Sequence, residues 1–319
     1  MSAYSIGVDL GGTNLRAAAI DENGRILQRH SITTANYEGS REQIVTDIVG
    51  LIRELQRRVG AGELRGVGIG VPGYIQMETG VIVEAANLPF TNFPIRDKIQ
   101  DQLGIPIILE NDANAAALGE YWIGAGKGVK NLFLLTLGTG IGGGIIIDGK
   151  VLHGFAGMAG EPGHMTVNPE GNPCGCGNRG CLEKHASATA IVGMARMMGL
   201  GALDITSADV YDMAVAGNLK AKAVFECMGR SLGIAIATLI NLFNFPLYLL
   251  SGGPLPAWDV FAPAMFSEVK RRSYTYSRTA TKIEKATLGG DAGLYGAAYL
   301  PIQNGNAFSH EIRSTSGTR

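Results

Sequence analysis

The sequence predicts an α/β protein made of two similar halves. Short apolar segments with the character of buried strands alternate with longer segments whose apolar residues recur at helical spacing. A strand, a glycine-rich turn containing a threonine, and a returning strand occur near the start of the chain and again about a hundred residues later. Because the two occurrences share few residues, they indicate a duplication at the level of the fold.

The first half is expected to begin with three strands. Residues 5–9 and 15–20 flank a turn at 10–14, and residues 25–33 follow a second turn at 21–24. Apolar residues at helical spacing then predict a helix over residues 41–59. Two short apolar runs, 66–71 and 105–110, predict buried strands, and the second leads directly into an alanine-rich helix over 113–122.

The second half is expected to begin with another hairpin, with strands at 132–137 and 145–147 around a glycine turn at 138–144. Helices follow a cysteine-rich insertion. The most apolar stretch, 232–250, is interrupted by two asparagines and a proline, which favours a buried helix running into a strand at 247–250 over a membrane span. A turn at 251–254 and a final helix from 292 to about 299 precede a polar tail.

Composition and net charge exclude some classes of function. The formal net charge of the 319 residues is -1, which provides no basic surface for nucleic acid or for a membrane. No signal peptide is apparent in residues 1–10, so a cytoplasmic location is expected. Three of the four cysteines fall within residues 174–181, and in a reducing compartment such clustering favours metal binding over disulfides.

Two glycine turns have the composition of phosphate-binding loops. Glycines let backbone amides approach a phosphate, while threonine and asparagine side chains can donate to its oxygens. Neither turn matches the P-loop or the dinucleotide-binding pattern. An ordinary hairpin turn is the alternative for either one alone. Asp9 is placed to hold a hydrated Mg²⁺, and a third glycine turn is placed to lie against adenosine. The predicted nucleotide ligands are Asp9, Gly11, Gly12, Thr13, Asn14, Gly138, Thr139, Gly140, Gly252 and Gly253.

Asp112 is the candidate catalytic base. Phosphoryl transfer to an alcohol needs a carboxylate that orients the hydroxyl and accepts its proton. Asp112 lies where a predicted strand ends and a predicted helix begins, and helix N-termini favour the ionised carboxylate. On these residues alone a simple helix cap, a common role of aspartate, is the favoured interpretation, and the catalytic role depends on the resemblance given below.

A histidine and three cysteines form the strongest local pattern. One imidazole and three thiolates complete a tetrahedral zinc site with no position left for water, so a structural zinc is favoured over a catalytic one. Reduced free thiols on a loop are the alternative. The predicted ligands are His164, Cys174, Cys176 and Cys181, and two carboxylates, Glu161 and Glu183, flank them in the sequence.

These motifs together resemble the ROK family, within the actin, hexokinase and acetate kinase superfamily. The segment Glu-x-Gly-His followed by Cys-x-Cys-Gly-x-x-Gly-Cys-x-Glu fits the family pattern, and the resemblance extends from Ile6 to about Leu300. It implies two ribonuclease H-like domains around a central cleft. The expected limits are 1–115 with a returning helix at about 297–319, and 116–296 with the zinc-binding insertion.

The resemblance also implies roles for individual residues. Asp112 would be the base, and His164 would bind zinc through one ring nitrogen and the sugar through the other. The implied sugar ligands are Gly73, Asn87, Asn111, Asp112, Glu161, His164 and Glu183. ATP, Mg²⁺ and structural Zn²⁺ are the expected cofactors, and a homodimer or homotetramer is the expected assembly.

The resemblance favours phosphorylation of the 6-hydroxyl of glucose, because the segment around Asn87 is most similar to that of the glucokinases. Kinases for N-acetylglucosamine, N-acetylmannosamine or fructose share the same motifs and stay open. Repressors of the family carry a DNA-binding helix-turn-helix ahead of the first glycine turn, and only five residues precede Ile6 here, so repression is not expected. A non-catalytic sugar-binding regulator would have no need of two phosphate-binding turns.

Overall fold

The computed structural model describes residues 3–33, 40–85 and 88–315, with side chains as far as residue 303. The chain divides into two compact units. Unit 1 comprises Met1–Gly128, Lys150–Ala159 and Gly290–Arg319, and unit 2 comprises Val129–Gly149 and Gly160–Gly289. The domain limits expected from the sequence, 1–115 with 297–319 and 116–296, stay a prediction.

Eleven elements precede the second hairpin among the described residues, all of them in unit 1. In chain order they are β1 (Ala3–Leu10), β2 (Asn14–Asp21), β3 (Ile26–Thr33), α1 (Arg41–Val59), β4 (Glu63–Val71), β5 (Tyr74–Gln76), β6 (Val81–Glu84), β7 (Thr91–Phe93), α2 (Ile95–Leu103), β8 (Ile107–Asn111) and α3 (Asp112–Trp122). The three predicted opening strands, the helix over 41–59 and the strands near 66–71 and 105–110 are therefore confirmed.

The remaining elements begin with the second hairpin. In chain order they are β9 (Leu132–Leu137), β10 (Ile141–Ile147), β11 (Lys150–Val151), α4 (Glu183–Ala186), α5 (Ala188–Met197), α6 (Ser207–Val215), α7 (Leu219–Phe243), β12 (Leu247–Gly252), α8 (Trp258–Arg272), β13 (Lys282–Lys285) and α9 (Ala292–Thr315), and short 3₁₀ helices include Pro162–His164. Of these, β11 and α9 belong to unit 1.

The main sheets of the two units have the same topology. In unit 1, β1 pairs antiparallel with β2 and parallel with β4, which pairs parallel with β8. In unit 2, β9 pairs antiparallel with β10 and parallel with β12, which pairs parallel with β13. The neighbours β2-β1-β4-β8 thus correspond to β10-β9-β12-β13. The predicted duplication of the fold is confirmed.

Helix α1 shows how the sequence positions these layers. The Ser40 hydroxyl caps the helix by accepting from the Gln43 backbone N–H at 3.3 Å. Ile44, Ile48 and Ile52 recur at helical spacing and are fully buried in the unit 1 core with the strand residues that face them. The apolar stripe therefore fixes which face of the helix packs against the sheet.

Helix α7 forms the corresponding core of unit 2. Tyr248, fully buried on β12, donates through its hydroxyl to the Leu239 carbonyl on this helix at 3.1 Å. By length and composition α7 is apolar enough to cross a membrane, but 67% of its most apolar window is buried. The sequence-based interpretation of a buried helix running into a strand is confirmed.

Three predicted boundaries were wrong. Residues 141–144 continue β10, so the second turn is shorter than predicted, because the glycines pair with β9 in a regular antiparallel register. Ser251 and Gly252 extend β12 through pairing with β9. Helix α9 runs to Thr315 instead of ending near Tyr299, since Leu300 and Ile302 remain buried beyond the predicted end.

Candidate active site

The carboxyl ends of three parallel strands meet at one edge of the unit 1 sheet, as expected for a ligand site in an α/β sheet. At the end of β1, Asp9 lies opposite Gly70 of β4. At the end of β4, Val71 lies opposite Asn111 of β8. The structure therefore brings together the first glycine turn, the Gly73 segment that follows β4, and the strand-to-helix junction at Asp112.

The first glycine turn is shaped mainly by its own hairpin. The Gly11 backbone N–H donates to the Asn14 carbonyl at 2.9 Å, and the Asn14 side-chain amide donates to the Thr13 hydroxyl at 3.2 Å. Gly12, Thr13 and Asn14 are exposed. Their backbone and side-chain donors are thus accessible to a ligand at the edge of the sheet.

Asp9 forms an ion pair that the sequence analysis missed. Its carboxylate accepts from the Arg16 guanidinium, which also donates to the Gly290 carbonyl at 2.7 Å. Asp9 and Arg16 are direct partners in the hairpin register. Counting outward from the turn predicted at residues 10–14 would have paired Asp9 with Leu15, one residue away from the observed register, so the sequence analysis did not identify this pair.

Asn111 and Asp112 begin helix α3. The Asn111 side-chain oxygen accepts from the backbone N–H groups of Ala113 at 2.9 Å and Asn114 at 3.2 Å, and the Asp112 carboxylate accepts from Ala113 at 2.9 Å. The Asn111 amide group donates to the Gly73 carbonyl at 3.4 Å. Asp112 is exposed at a helix N-terminus, where the helix dipole favours negative charge.

Unit 2 presents a matching edge. Gly252, at the end of β12, lies opposite Leu137 at the end of the parallel strand β9. The turn at Gly138, Thr139 and Gly140 follows Leu137 directly, and Gly253 follows Gly252. The second and third glycine turns predicted from the sequence therefore lie side by side at the carboxyl ends of parallel strands.

The second glycine turn is held by the chain around the α4–α5 junction. The Ala188 backbone N–H donates to the Gly138 carbonyl at 2.8 Å, and the Thr189 hydroxyl donates to the Thr139 carbonyl at 2.8 Å. The Glu183 carboxylate accepts from the Ile141 N–H at 3.2 Å. A Cβ at residue 140 would lie 2.4 Å from this carboxylate, so a larger residue there would require the Glu183 side chain to move.

The predicted zinc ligands form a cluster in unit 2. The ligand atoms of His164, Cys174, Cys176 and Cys181 all lie within 4.8 Å of one another. Cys174 Sγ is 3.7 Å from His164 Nδ1, and Cys176 Sγ is 3.7 Å from Cys181 Sγ. Ligands of a tetrahedral zinc with bonds of roughly 2.0–2.3 Å lie about 3.5–3.8 Å apart. The separations therefore fit zinc, and the four cysteines of the chain are free thiols.

Two thiols of the cluster have opposite pKa shifts. Burial raises the pKa of the Cys181 thiol to about 12, and the neighbouring thiols act in the same direction. Hydrogen bonding from the Asn178 backbone is the largest cause that lowers the pKa of Cys176. Because metal ligation needs thiolates, a bound cation would supply the charge that offsets the burial of Cys181.

The cysteine loop connects the two carboxylates that flank it. The Leu182 N–H donates to the Met165 carbonyl at 2.8 Å, which holds the start of α4 beside the Pro162–His164 turn. That turn packs on β10, where a Cβ at residue 163 would lie 2.2 Å from the Ile141 carbonyl. Glu161 thus precedes one end of the loop and Glu183 follows the other end, and the same backbone contacts hold both ends. Asn87, the remaining predicted sugar ligand, lies outside the described residues.

Comparisons with known proteins identify the family. The sequence pattern of the ROK family matches residues 5–304. The glucokinase of Halalkalibacterium halodurans is 39% identical over 322 residues, which cover 95% of this chain and 96% of that protein. The chain belongs to the ROK family.

Solved structures of the ROK family are similar over nearly the whole chain. The ROK family glucokinase of Streptomyces griseus, in complex with glucose and AMPPNP, has a TM-score of 0.79 at 35% identity and covers 94% of this chain and 100% of its own. A ROK family transcriptional regulator, a homologue of the E. coli MLC protein, has a TM-score of 0.85 at 28% identity, covering 95% of this chain and 78% of its own. The predicted fold class, two ribonuclease H-like α/β units, is confirmed.

Two further contacts in this ROK protein escaped the sequence analysis. Glu110 is buried and accepts from His153 at 2.8 Å, across 43 residues of sequence. A charged residue at the end of a predicted buried strand indicates that its side chain has a hydrogen-bond partner elsewhere in the chain. Nothing in the sequence pattern identified His153 as that partner. No sequence signal pointed to the bond between Thr189 and Thr139.

Proposed function

We propose that this ROK protein is an ATP-dependent hexose kinase that phosphorylates the 6-hydroxyl of glucose. The observation that carries the proposal is the placement of the first glycine turn and Asp112 at the carboxyl ends of neighbouring parallel strands, with the matching glycine turns of unit 2 at the equivalent edge. The similarity to proteins named glucokinase, one solved with glucose and AMPPNP, supports the choice of sugar and donor.

The proposed chemistry is a direct transfer. The carboxylate of Asp112 accepts the proton of the sugar hydroxyl, whose oxygen forms a bond to the γ-phosphorus of ATP as the bond to the β-phosphate oxygen breaks. ADP leaves with that oxygen. Asp112 already lies at a helix N-terminus, exposed and with its carboxylate held by the Ala113 N–H. A fixed carboxylate of this kind is suited to general-base work.

The sugar ligands proposed in unit 1 are the Asn111 side chain, Asn87 and the Gly73 backbone. In unit 2 they are Glu161, Glu183 and the Nε2 atom of His164, since Nδ1 faces the cysteine cluster. Carboxylates accept hydrogen bonds from adjacent hydroxyls in pairs, which is the pattern that a hexose ring offers. N-acetylglucosamine, N-acetylmannosamine and fructose remain alternative substrates.

The proposed cofactors are Mg²⁺ and a structural Zn²⁺. The phosphates would be bound by the two glycine turns. Mg²⁺ would be bound by the phosphates together with Asp9, whose carboxylate pairs with Arg16 in this structure. His164 and the three cysteines would hold zinc, which stabilises the loop when bound and carries no step of the reaction. A cytoplasmic location, expected from the sequence, and a homodimer or homotetramer, implied by the family resemblance, are also proposed.

The proposal is tested by ADP release from MgATP with glucose, N-acetylglucosamine, N-acetylmannosamine and fructose assayed in parallel on zinc-replete protein. We expect kcat/KM to be highest for glucose. A higher value for another sugar would keep the kinase mechanism and change the substrate. Failure to phosphorylate any of them, with sugar binding still detectable by calorimetry, would instead support a non-catalytic regulator.

A further inference from the structure

Glu110 is a buried carboxylate directly before the proposed sugar ligand and base. Its side chain is 2% exposed. One oxygen, Oε1, accepts from the Asn111 backbone N–H at 2.9 Å and from the Asn114 side-chain amide at 3.0 Å. Glu110 therefore holds both the last residue of β8 and the first turn of α3.

These bonds determine where Asp112 is placed. Asp112 lies between the two residues that Glu110 binds, and its carboxylate also accepts from Ala113 within the same turn. A shift of Glu110 would move Asn111 and Asn114 together and carry Asp112 with them. Small displacements of a base relative to its substrate are costly, because proton transfer requires hydrogen-bond contact.

His153 provides the partner of the other oxygen. Its Nε2 is 2.8 Å from Glu110 Oε2. His153 lies in a short loop of unit 1. The Ala159 N–H closes this loop by donating to the His153 carbonyl at 3.1 Å. The hydrogen bond to Glu110 raises the pKa of His153, and burial opposes this effect in part. A protonated imidazole thus compensates a buried carboxylate that is unfavourable when unpaired.

The other charged groups on the surrounding elements have different roles. On β4, Arg65 pairs with Glu22, and on α3, Glu120 accepts from the Ala125 N–H at the opposite end of the helix. Asp112 itself is exposed on the same turn. The remaining charged side chains are Glu63 on β4, Arg96, Asp97, Lys98 and Asp101 on α2, and Lys150 on β11.

We propose that His153 is a positioning residue for the catalytic turn, acting on Asp112 through Glu110. The inference rests on the proposed kinase function and adds to it a residue that contacts neither substrate nor nucleotide. It predicts that loss of the imidazole impairs transfer more than binding of ATP.

The experiment compares His153→Ala, His153→Gln, Glu110→Gln and the double variant Glu110→Gln/His153→Ala by steady-state kinetics. His153→Ala should lower kcat with glucose about tenfold or more and leave the KM for MgATP within about twofold. His153→Gln, which can still donate to the carboxylate, should recover part of the loss. The double variant should be no more impaired than the worse single variant, because both changes break one interaction.

His30→Ala, on the edge strand β3 of the same unit, is the matched control and should retain the parent kcat. Thermal unfolding of each variant separates misplacement from unfolding, and His153→Gln keeps the test valid if the alanine variant fails to fold. Parent-like kcat in folded His153→Ala, or additive losses in the double variant, would overturn the inference. Absence of any sugar kinase activity in the parent would instead refute the proposed function.

The pH profile gives an independent measurement. The pKa of His153 is raised, so the charged pair is present at low pH and is lost as the pH rises through that folded-state value, above the ordinary 6.5. We expect the parent kcat to decline through this range, and His153→Gln to remove that decline. An identical alkaline limb in both proteins would contradict the proposed role.

Discussion

The two glycine turns occupy equivalent places in the two units, yet they are held differently. The first, in unit 1, is closed by a bond between its own residues Gly11 and Asn14. The second, in unit 2, has a comparable bond from the Gly138 N–H to the Gly140 carbonyl at 2.9 Å, and in addition it is bound by Glu183 of α4 and by Ala188 and Thr189 of α5. Helix α4 begins at Glu183, two residues after Cys181, a proposed zinc ligand.

The difference shows that a duplicated fold need not duplicate what stabilises its loops. In unit 1 the site edge depends on hydrogen bonds and ion pairs within the protein, such as those of Asp9 with Arg16 and Glu110 with His153. In unit 2 it also depends on helices α4 and α5, which follow directly after the loop of the proposed zinc ligands. We therefore expect loss of metal to affect unit 2 first, and we expect the proton-transfer chemistry to depend on unit 1.

The largest expected effect tests whether the chemistry is confined to the edge of unit 1. Asp112→Asn removes the proposed base and preserves the size of the side chain. We expect kcat to fall at least about a hundredfold, as typical for loss of a general base, with the folded state retained. The measurement is ADP release with glucose, accompanied by thermal unfolding.

Glu284→Gln is the matched control, because Glu284 lies on β13, the strand that corresponds in unit 2 to β8. It is exposed, and its variant should retain kcat within about twofold. A loss within about tenfold for Asp112→Asn, or equal losses for both variants, would contradict the assignment of the base to unit 1.

Most of the fold could be predicted because its signals are local. The hairpins, α1 and the buried strands follow from apolar periodicity and turn residues, which act within a few positions of one another. The errors arose where pairing or burial overrode the local signal, as for Gly142 to Gly144 in β10 and for α9 beyond Tyr299. Such tertiary contacts are absent from the local sequence pattern.

The residues of the candidate site also divide into those that local sequence signals predict and those that depend on tertiary contacts. The clustering of His164 with the cysteines could be predicted, because a chelating loop carries its ligands close in sequence, and their ligand atoms lie within 4.8 Å of one another; zinc binding stays a prediction. Arg16 could be found only from the observed hairpin register, which differs by one residue from the register that the predicted turn implies. His153 and Thr189 could not, since each binds a group that is more than forty residues away in the sequence.

An intermediate effect is expected when the proposed metal-binding loop of unit 2 is disrupted. Cys176→Ser removes one of four proposed ligands, so bound zinc should fall from about one per chain to near zero. We expect the transition temperature to fall by roughly 5–10 °C and kcat/KM for glucose to fall at least about tenfold. Metal content is measured by plasma emission spectroscopy and unfolding by calorimetry.

Cys227→Ser is the control for loss of a thiol. Cys227 is half-buried on α7 and lies outside the cluster. Its variant should keep both zinc and activity, although burial of a hydroxyl can lower stability slightly. Purified, active parent protein without zinc would contradict the metal assignment, as would a Cys176→Ser variant that binds zinc as tightly as the parent.

The smallest effect addresses the second glycine turn directly. Thr189→Val removes the hydroxyl that donates to the Thr139 carbonyl and leaves the metal-binding loop intact. One such bond contributes about 0.5–1.5 kcal/mol, so the KM for MgATP should rise about threefold to tenfold. The KM for glucose should stay within about twofold, because the Glu183 side chain is unchanged.

Thr238→Val controls for the same chemistry elsewhere in unit 2, since its hydroxyl donates to the Ile234 carbonyl at 3.0 Å on an exposed part of α7. It should leave both KM values at the parent level. An unchanged KM for MgATP in Thr189→Val would mean that the second turn keeps its shape without the α4–α5 junction. The two turns would then be held alike, each by its own hairpin, and the contrast between the units would be limited to the metal.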